Sequence, residues 1–388
     1  MTSIREAIRF LFAPVKPMPP GIFHYQSPPE NSNNYRLHLR LEADGSGLLV
    51  VNASTILHLN KTAAEYAYHL VHQTSAESVA RLVTSRYRVA PQQALRDYRD
   101  LKERIDLLLS TSDLDPETFM DFGRAAPVKL SSPIRLICAL TYQLPENVNP
   151  DYSPSKRVKR ELSTLEWQTI LDKSWQAGIP HLIFTGGEPT LRKDLVDLVH
   201  YAEEKGQVTG LLSDGLKLGD FNYLNKLLLS GLDHLLFLLQ PRVEASWQVL
   251  KTVLEVDLFV VVHLTITPTN QEQARGWLEQ LKNMGVHTVS LSSSEEDLKE
   301  TLLHMRNQAA ELDLKIVWDL PVPFSALNPV TLESGSEPEN SGSLFASLYV
   351  EPDGDVLLSQ DDRRVFGNLL ADSWEQIWNR LVDPVTTA

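Results

Sequence analysis

The sequence predicts an α/β protein: a partial (β/α)6 barrel, preceded by a winged-helix-like α+β domain and followed by a small C-terminal extension. From Pro133 onward, short apolar runs alternate with helical patterns, the signature of parallel strands joined by right-handed crossovers. Ahead of them, residues 35–112 hold two or three strand-like runs and then three amphipathic helical patterns. A polar stretch from Glu333 to Ser343, rich in Ser, Gly and Glu, sets residues 344–388 apart as an appended unit.

The chain has 388 residues, enough for two or three domains. Its 36 basic and 50 acidic residues give a net charge of −14, which argues against nucleic acid and anionic membrane as partners. The single cysteine, Cys138, allows no internal disulfide, and one thiol cannot build a zinc site or a cysteine-ligated cluster. Ile4 to Val15 is interrupted by Arg5, Glu6 and Arg9, so it does not read as a signal peptide. No apolar run approaches the roughly 20 residues of a membrane span. A cytoplasmic protein is expected.

Taken in order, residues 1–34 read as a short helix and a Pro/Asn-rich tail that packs along a surface or stays mobile. Leu37, Leu39 and Leu41, a turn at Asp44-Gly45, and Leu48 to Val51 read as an antiparallel hairpin or meander. Ala63, Tyr66, Ala67, Leu70 and Val71 share the face of a first helix. Thr74 with Glu77 predicts a capping box for a second, and Pro91 opens a third. Residues 113–132 form a linker. In the barrel, residues 133–332, Ser163 and Glu166 predict a capping box for a helix over Leu165–Trp175 that Gly178 stops. Leu191, Leu195, Leu198, Val199 and Ala202 are assigned to one face of the next helix. Trp167, Trp175, Trp374 and Trp378 read as core, and His69 and His72 as surface residues sharing a helix face.

The chemistry centres on Leu182-Ile-Phe-Thr-Gly-Gly-Glu-Pro-Thr-Leu-Arg192. A buried strand that ends in two glycines and an acid leaves backbone groups beside a carboxylate, a place for the ammonium or polar end of a small ligand.

Residues 131–388 resemble the radical S-adenosylmethionine (SAM) enzymes that modify peptides, with a PqqE-like pattern. Gly186-Gly187-Glu188-Pro189 matches that family's Gly-Gly-Glu-Pro, which implies contact with the amino group of SAM. Ser213-Asp214-Gly215 falls where the family has a turn near the ribose. Gly231-Leu-Asp-His234 and Thr265 to Asn270 match further family stretches. Glu351-Pro-Asp-Gly-Asp-Val356 with Gly367-Asn-Leu-Leu370 resembles the SPASM or twitch extension, which normally carries auxiliary clusters. The resemblance thus implies a radical-SAM-type barrel with a SPASM/twitch-like extension. Residues 35–112, from Leu59-Asn-Lys-Thr-Ala63 through Arg86-Tyr87 into the third helix, resemble the PqqD-like peptide-recognition domain. That implies a leader peptide added as a strand to the sheet edge, with the third helix as the other wall.

One loop departs from the pattern. Where the family writes Leu-Thr-Tyr-x-Cys-x-x-x-Cys-x-x-Cys-Tyr, this chain writes Leu140-Thr-Tyr-Gln-Leu-Pro-Glu-Asn-Val-Asn-Pro-Asp-Tyr152. The three cysteine positions are Leu144, Val148 and Asp151, and a cluster position in the extension is Ser359. Leucine and valine cannot ligate iron, and a lone carboxylate cannot hold a cubane. The [4Fe–4S] cluster is therefore expected to be absent, and Cys138 is expected in the core. The fourth-strand run Leu235 to Leu239 lacks the Ser or Asp that often lines the family's pocket.

Three readings follow. A pseudoenzyme would bind a precursor peptide or a partner maturation enzyme. A second reading keeps SAM on Glu188, Gly186, Gly187, Pro189 and Ser213 to Gly215, as a regulatory ligand or for non-radical transfer. A third uses His181, Asp214, His263, Asp319 and Glu188 near strand ends in other chemistry, although no pair has diagnostic metal-ligand spacing. A cluster held in trans by another protein's cysteines is a further variant.

Overall fold

Alternation in the first strands decides which way the N-terminal sheet faces. Leu37, Leu39 and Leu41 of strand β2 (Arg36–Leu41) are almost fully buried, and in register they meet Val51 and Leu49 of β3 (Gly47–Val51). Leu57 and Leu59 of β4 (Thr55–Leu59) continue the same apolar face. The computed structural model describes residues 18–28, 35–52, 55–110, 131–146, 157–293, 295–317, 347–360 and 362–382. It divides into two units, Met1–Leu130 and Ser131–Ala388.

In the first unit the meander gains a strand. Gly21–Gln26, expected within the Pro-rich tail, is strand β1, antiparallel to β2 and pairing Phe23 with Leu39 and Tyr25 with Leu37. Phe23 and Tyr25 are large and alternate in step with the leucines, and the neighbouring prolines hid that period in the sequence. The sheet order is β1-β2-β3-β4. Three helices cover its apolar face: α1 (Lys61–Val71), α2 (Ala76–Arg86) and α3 (Pro91–Ser110). Asn60 caps α1 by accepting from the Thr62 and Ala63 amides. The capping box expected from Thr74 and Glu77 does not form. Ser75 holds the N-cap position without a side-chain bond, and Glu77 pairs with Arg99 of α3 at 3.4 Å. His69, expected at the surface, is 7% exposed, and burial lowers its pKa.

In the second unit, seven parallel strands alternate with six helices: β5 (Arg135–Thr141), α4 (Thr164–Gln176), β6 (His181–Gly186), α5 (Leu195–Glu204), β7 (Val208–Ser213), α6 (Phe221–Leu229), β8 (His234–Leu238), α7 (Glu244–Leu254), β9 (Phe259–Ile266), α8 (Ala274–Asn283), β10 (Thr288–Ser293), α9 (Lys299–Glu311) and β11 (Lys315–Ile316). The Ser163–Glu166 capping box forms as expected. Leu191 is not in α5. It ends a 3-10 turn, Pro189–Leu191, because Glu188 caps that turn and Pro189 begins it.

The C-terminal extension is not a separate sheet. Strand β12 (Ser347–Val350) lies parallel to β5, pairing Val350 with Cys138, and β13 (Asp355–Leu357) and β14 (Gly367–Asn368) continue antiparallel. Ten strands result, in the order β11-β10-β9-β8-β7-β6-β5-β12-β13-β14. Helix α10 (Trp374–Val382) buries Trp374, Ile377, Trp378 and Leu381. On α4, Lys173 Nζ donates to the carbonyls of Leu369, Leu370 and Asp372 at 2.6, 3.2 and 3.0 Å and fastens this extension down. Trp175 is only half-buried, unlike the other three tryptophans assigned to the core.

Candidate functional site

Side chains at the C-terminal ends of parallel strands converge where such sheets bind ligands. Here β6 and β7 deliver Glu188 and Ser213–Gly215 to one place. Gly186 has φ +131°, and a Cβ on it would stand 2.1 Å from Thr141 O; one on Gly187 would stand 2.2 Å from Gln143 O. Only glycines let this turn press against the chain leaving β5, where Gly187 N donates to Thr141 O at 2.7 Å and Glu188 N to Gln143 O at 2.8 Å.

Glu188 is 2% exposed. Its Oε1 accepts from Thr190 N at 2.9 Å, Thr190 Oγ1 at 2.5 Å and Ser213 Oγ at 2.8 Å, and its Oε2 from Asp214 N at 2.9 Å. Burial, and then the charge of Asp214, raise this carboxyl to about 7 against four donors that favour the ionised form. Burial raises Asp214 as well. Gly215, at φ +74°, turns the chain where a Cβ would strike the Phe237 ring at 2.2 Å. Lys217 Nζ donates to Thr190 O at 2.5 Å and lies 4.2 Å from the centre of the Tyr223 ring, bracing the same turn.

The cleft beside these acids is lined by Leu144, Pro145, Gly187, Glu188, Asp214, Leu238 and Gln240, with room for little more than a water molecule. Gln240 also lines a neighbouring cavity with Arg242, Thr267, Thr269, Asn270 and Trp277. Leu238 makes the β8 end apolar as expected, but Gln240 adds a polar group just beyond it.

The residues do not fit a cluster. Leu144 stands on the cleft wall at a cysteine position, while Val148 and Asp151 lie outside the described residues. Cys138 is fully buried inside β5, and burial pushes its thiol well above the usual range. Ser359 is exposed in the bend after β13. Among the described residues no three His, Cys, Asp or Glu side chains are grouped to hold a metal ion. Leu144 and Pro145 stand on the cleft wall, and Glu188 already serves four donors.

The other candidate residues are scattered. His181 starts β6, at the opposite end of the strand from Glu188. There it accepts from Arg135 at 3.1 Å and meets His234 at 3.3 Å. His263 is in mid-strand, its ring nitrogens 3.0 Å from Ser290 Oγ, 2.9 Å from Ser292 Oγ and 3.2 Å from Thr265 Oγ1. Asp319 lies outside the described residues. Of the described members of that set, only Glu188 and Asp214 come together.

Sequence reading missed a second cluster. Tyr142 OH donates to Glu351 and lies 3.5 Å from Tyr349 OH, and Arg157 forms an ion pair with Glu351 at 2.6 Å. The motif matches contained Tyr142 and Glu351, but nothing local joined them across some two hundred residues.

No protein-family model matches the chain. Among solved structures, Streptococcus suis SuiB bound to its precursor peptide SuiA matches with a TM-score of 0.59 at 14% identity, covering 88% of this chain and 86% of that one. SuiB bound to S-adenosylmethionine matches with a TM-score of 0.57 at 15% identity, covering 92% and 88%. The fold is a radical-SAM-like α/β fold with an N-terminal antiparallel-sheet domain. In sequence, the PqqA peptide cyclase of Granulibacter bethesdensis is 32% identical over 108 residues, 27% of this chain and 29% of that protein. That of Rhizobium meliloti is 33% identical over 109 residues, 28% and 29%. The matched stretch thus spans less than a third of these relatives. The chain is thus similar in fold to SuiB and, over part of its length, in sequence to the PqqA peptide cyclases, and it has one cysteine. No helix among the described residues is long and apolar enough to cross a membrane.

Proposed function

We propose that this protein is a cluster-free relative of the radical SAM peptide-modifying enzymes, a pseudoenzyme that binds a precursor peptide or a partner maturation enzyme rather than performing radical chemistry. The observation that carries the reading is Leu144: an aliphatic side chain lines the Glu188 cleft where a thiolate would be needed. The first unit is taken as the PqqD-like, winged-helix-like recognition domain, and residues 344–388 as a degenerate SPASM/twitch-like extension. The order β1-β2-β3-β4 leaves β1 and β4 as the sheet edges, and an incoming peptide strand is assigned to one of them. The structural match to SuiB in its complex with the precursor peptide SuiA supports this partner class. Iron and acid-labile sulfide after anaerobic reconstitution test the reading: background levels are expected, and a stoichiometric cluster would overturn it.

A second reading has one observation in its favour, because Glu188 and Asp214 still face the cleft. In that reading SAM binds there without a cluster, for regulation or non-radical transfer. Calorimetry with SAM on the wild type and on Glu188→Ala separates the two. Binding lost in the variant favours the second, and no binding to either favours the first.

A further inference from the structure

The cavity beyond Gln240 is opposite in charge to the Glu188 cleft. Among its described lining residues Arg242 alone is charged. At about 100 Å³ it has room for several water molecules, and so for a polar head group. A net charge of −14 gives an anion no general attraction to this chain, so one that binds must be drawn by a cation held in place.

Arg242 is such a cation. The segment that carries it leaves β8 and is tied at three points. Gln240 N donates to Ser246 Oγ at 3.1 Å, Val243 N to Gln240 O at 2.9 Å, and Trp247 Nε1 to Pro241 O at 2.9 Å. The facing wall leaves β9 and folds around Asn270, which is 4% exposed. Its Oδ1 accepts from Thr267 N and its Nδ2 donates to Thr265 O, each at 2.9 Å.

Arg242 Nη2 spans the two walls and donates to Thr269 O at 2.5 Å. That bond pins the guanidinium and spends one of its five N–H donors; the described residues supply no partner for the other four. Thr267 Oγ1 and Thr269 Oγ1 stand 3.1 Å apart in the same cavity. One hydroxyl serves the other, which leaves one O–H to donate elsewhere. Trp277 of α8 and Val243 add apolar surface beside these donors.

We infer that this cavity is a carboxylate subsite. The Arg242 fork takes the two oxygens, the spare threonine hydroxyl donates to one of them, and the carbon skeleton of the ligand rests on Trp277 and Val243. One guanidinium balances one charge, which favours a carboxylate over a phosphate dianion. A small organic acid and an acidic side chain of a peptide present the same head group. The inference stands on Arg242 and does not depend on whether a cluster is built in the neighbouring cleft.

Fluorine NMR on the full chain tests it, with 4-fluorobenzoate and its neutral analogue 4-fluorobenzamide as probes. The acid should bind the wild type at least about tenfold more tightly than the amide. Arg242→Gln should weaken the acid about tenfold and leave the amide unchanged, while Arg242→Lys, which keeps the charge without the fork, should fall between. Trp277→Ala should weaken both probes. The capped dipeptides N-acetyl-Glu-Phe-amide and N-acetyl-Gln-Phe-amide test the peptide source. Binding of the first alone, lost in Arg242→Gln, supports a peptide side chain, and binding of 4-fluorobenzoate alone supports a free acid. Equal binding of acid and amide by the wild type would overturn the subsite, a comparison that needs no variant to fold. So would acid binding unchanged in Arg242→Gln, or no binding of either carboxylate.

Discussion

Ser213 Oγ donates to Glu188 Oε1 at 2.8 Å, so the turns that end β6 and β7 share one buried carboxylate. Thr190 and the Asp214 amide complete its shell. A carboxylate so supplied serves the fold whether or not a ligand ever reaches it, and the Gly-Gly-Glu-Pro turn can persist on structural grounds alone. The same bonds leave an acid buried beside a second acid, and that has a cost visible in solution.

The cost depends on pH. Burial and Asp214 raise Glu188 to about 7 from an ordinary 4.5, so the folded chain holds this proton more tightly than the unfolded chain. Stability contributed by this group is therefore present below pH 4.5 and lost as pH rises towards about 7, a span worth roughly 3 kcal/mol at most. In Glu188→Gln that slope should vanish. Absolute stability drops by about 1–3 kcal/mol, because an amide N–H then faces the Asp214 N–H. Urea unfolding at pH 5 and pH 7.5 checks this: a wild type without excess loss at the higher pH, relative to the variant, would contradict the assignment.

His263 should show the opposite sign. Burial lowers its pKa to about 3, so the unfolded chain takes up a proton near 6.5 and the folded chain does not. Its contribution is present above pH 6.5 and falls as pH drops towards 3, by about 1.4 kcal/mol per unit. NMR of the imidazole nitrogens at pH 5 should find His263 neutral while exposed histidines are charged. A protonated ring at that pH would show that the Ser290, Ser292 and Thr265 hydroxyls do not enclose it as described.

Two glycines of the turn should resist substitution where a third accepts it. Gly186→Ala and Gly187→Ala each drive a Cβ into a backbone carbonyl, at 2.1 and 2.2 Å, and backbone has little room to give. Each should cost at least about 3 kcal/mol or prevent folding. Gly276 sits inside α8 with nothing within 4 Å of the place a Cβ would take, so Gly276→Ala should stabilise by about 0.5–1 kcal/mol. Thermal denaturation of the three variants ranks them directly.

Periodicity made the barrel legible. The runs at His181, Thr209, His234 and Thr288 each begin within a residue of an observed strand, because buried parallel strands are continuous apolar stretches. Glu188 and Asp214 were also legible, since strand ends in a parallel sheet must converge. Strand β1 was not, because the prolines on either side of it outweighed a short alternation. Leu191 was misread because an apolar residue three or four places ahead of a helix mimics its first turn. The pairing of β12 with β5 and the grip of Glu351 on Tyr142 and Arg157 are contacts distant in sequence, and no window of sequence contains them.

A last relationship crosses one strand. His234 of β8 lays its ring over Gly210 of β7, so close that a Cβ there would stand 2.1 Å from Nε2, and it meets His181 of β6 at 3.3 Å on the other side. The missing side chain at Gly210 is what lets the two imidazoles touch across the intervening strand. Gly210→Ala should therefore displace the ring, break the His181 contact and cost about 2–3 kcal/mol. The obstacle is a side chain rather than backbone, so the double variant Gly210→Ala with His234→Ala should recover part of the loss. A cycle of the two single variants and the double should give a coupling of about 1–2 kcal/mol. Strict additivity would mean that Gly210 is required by the strand itself and not by the histidine that covers it.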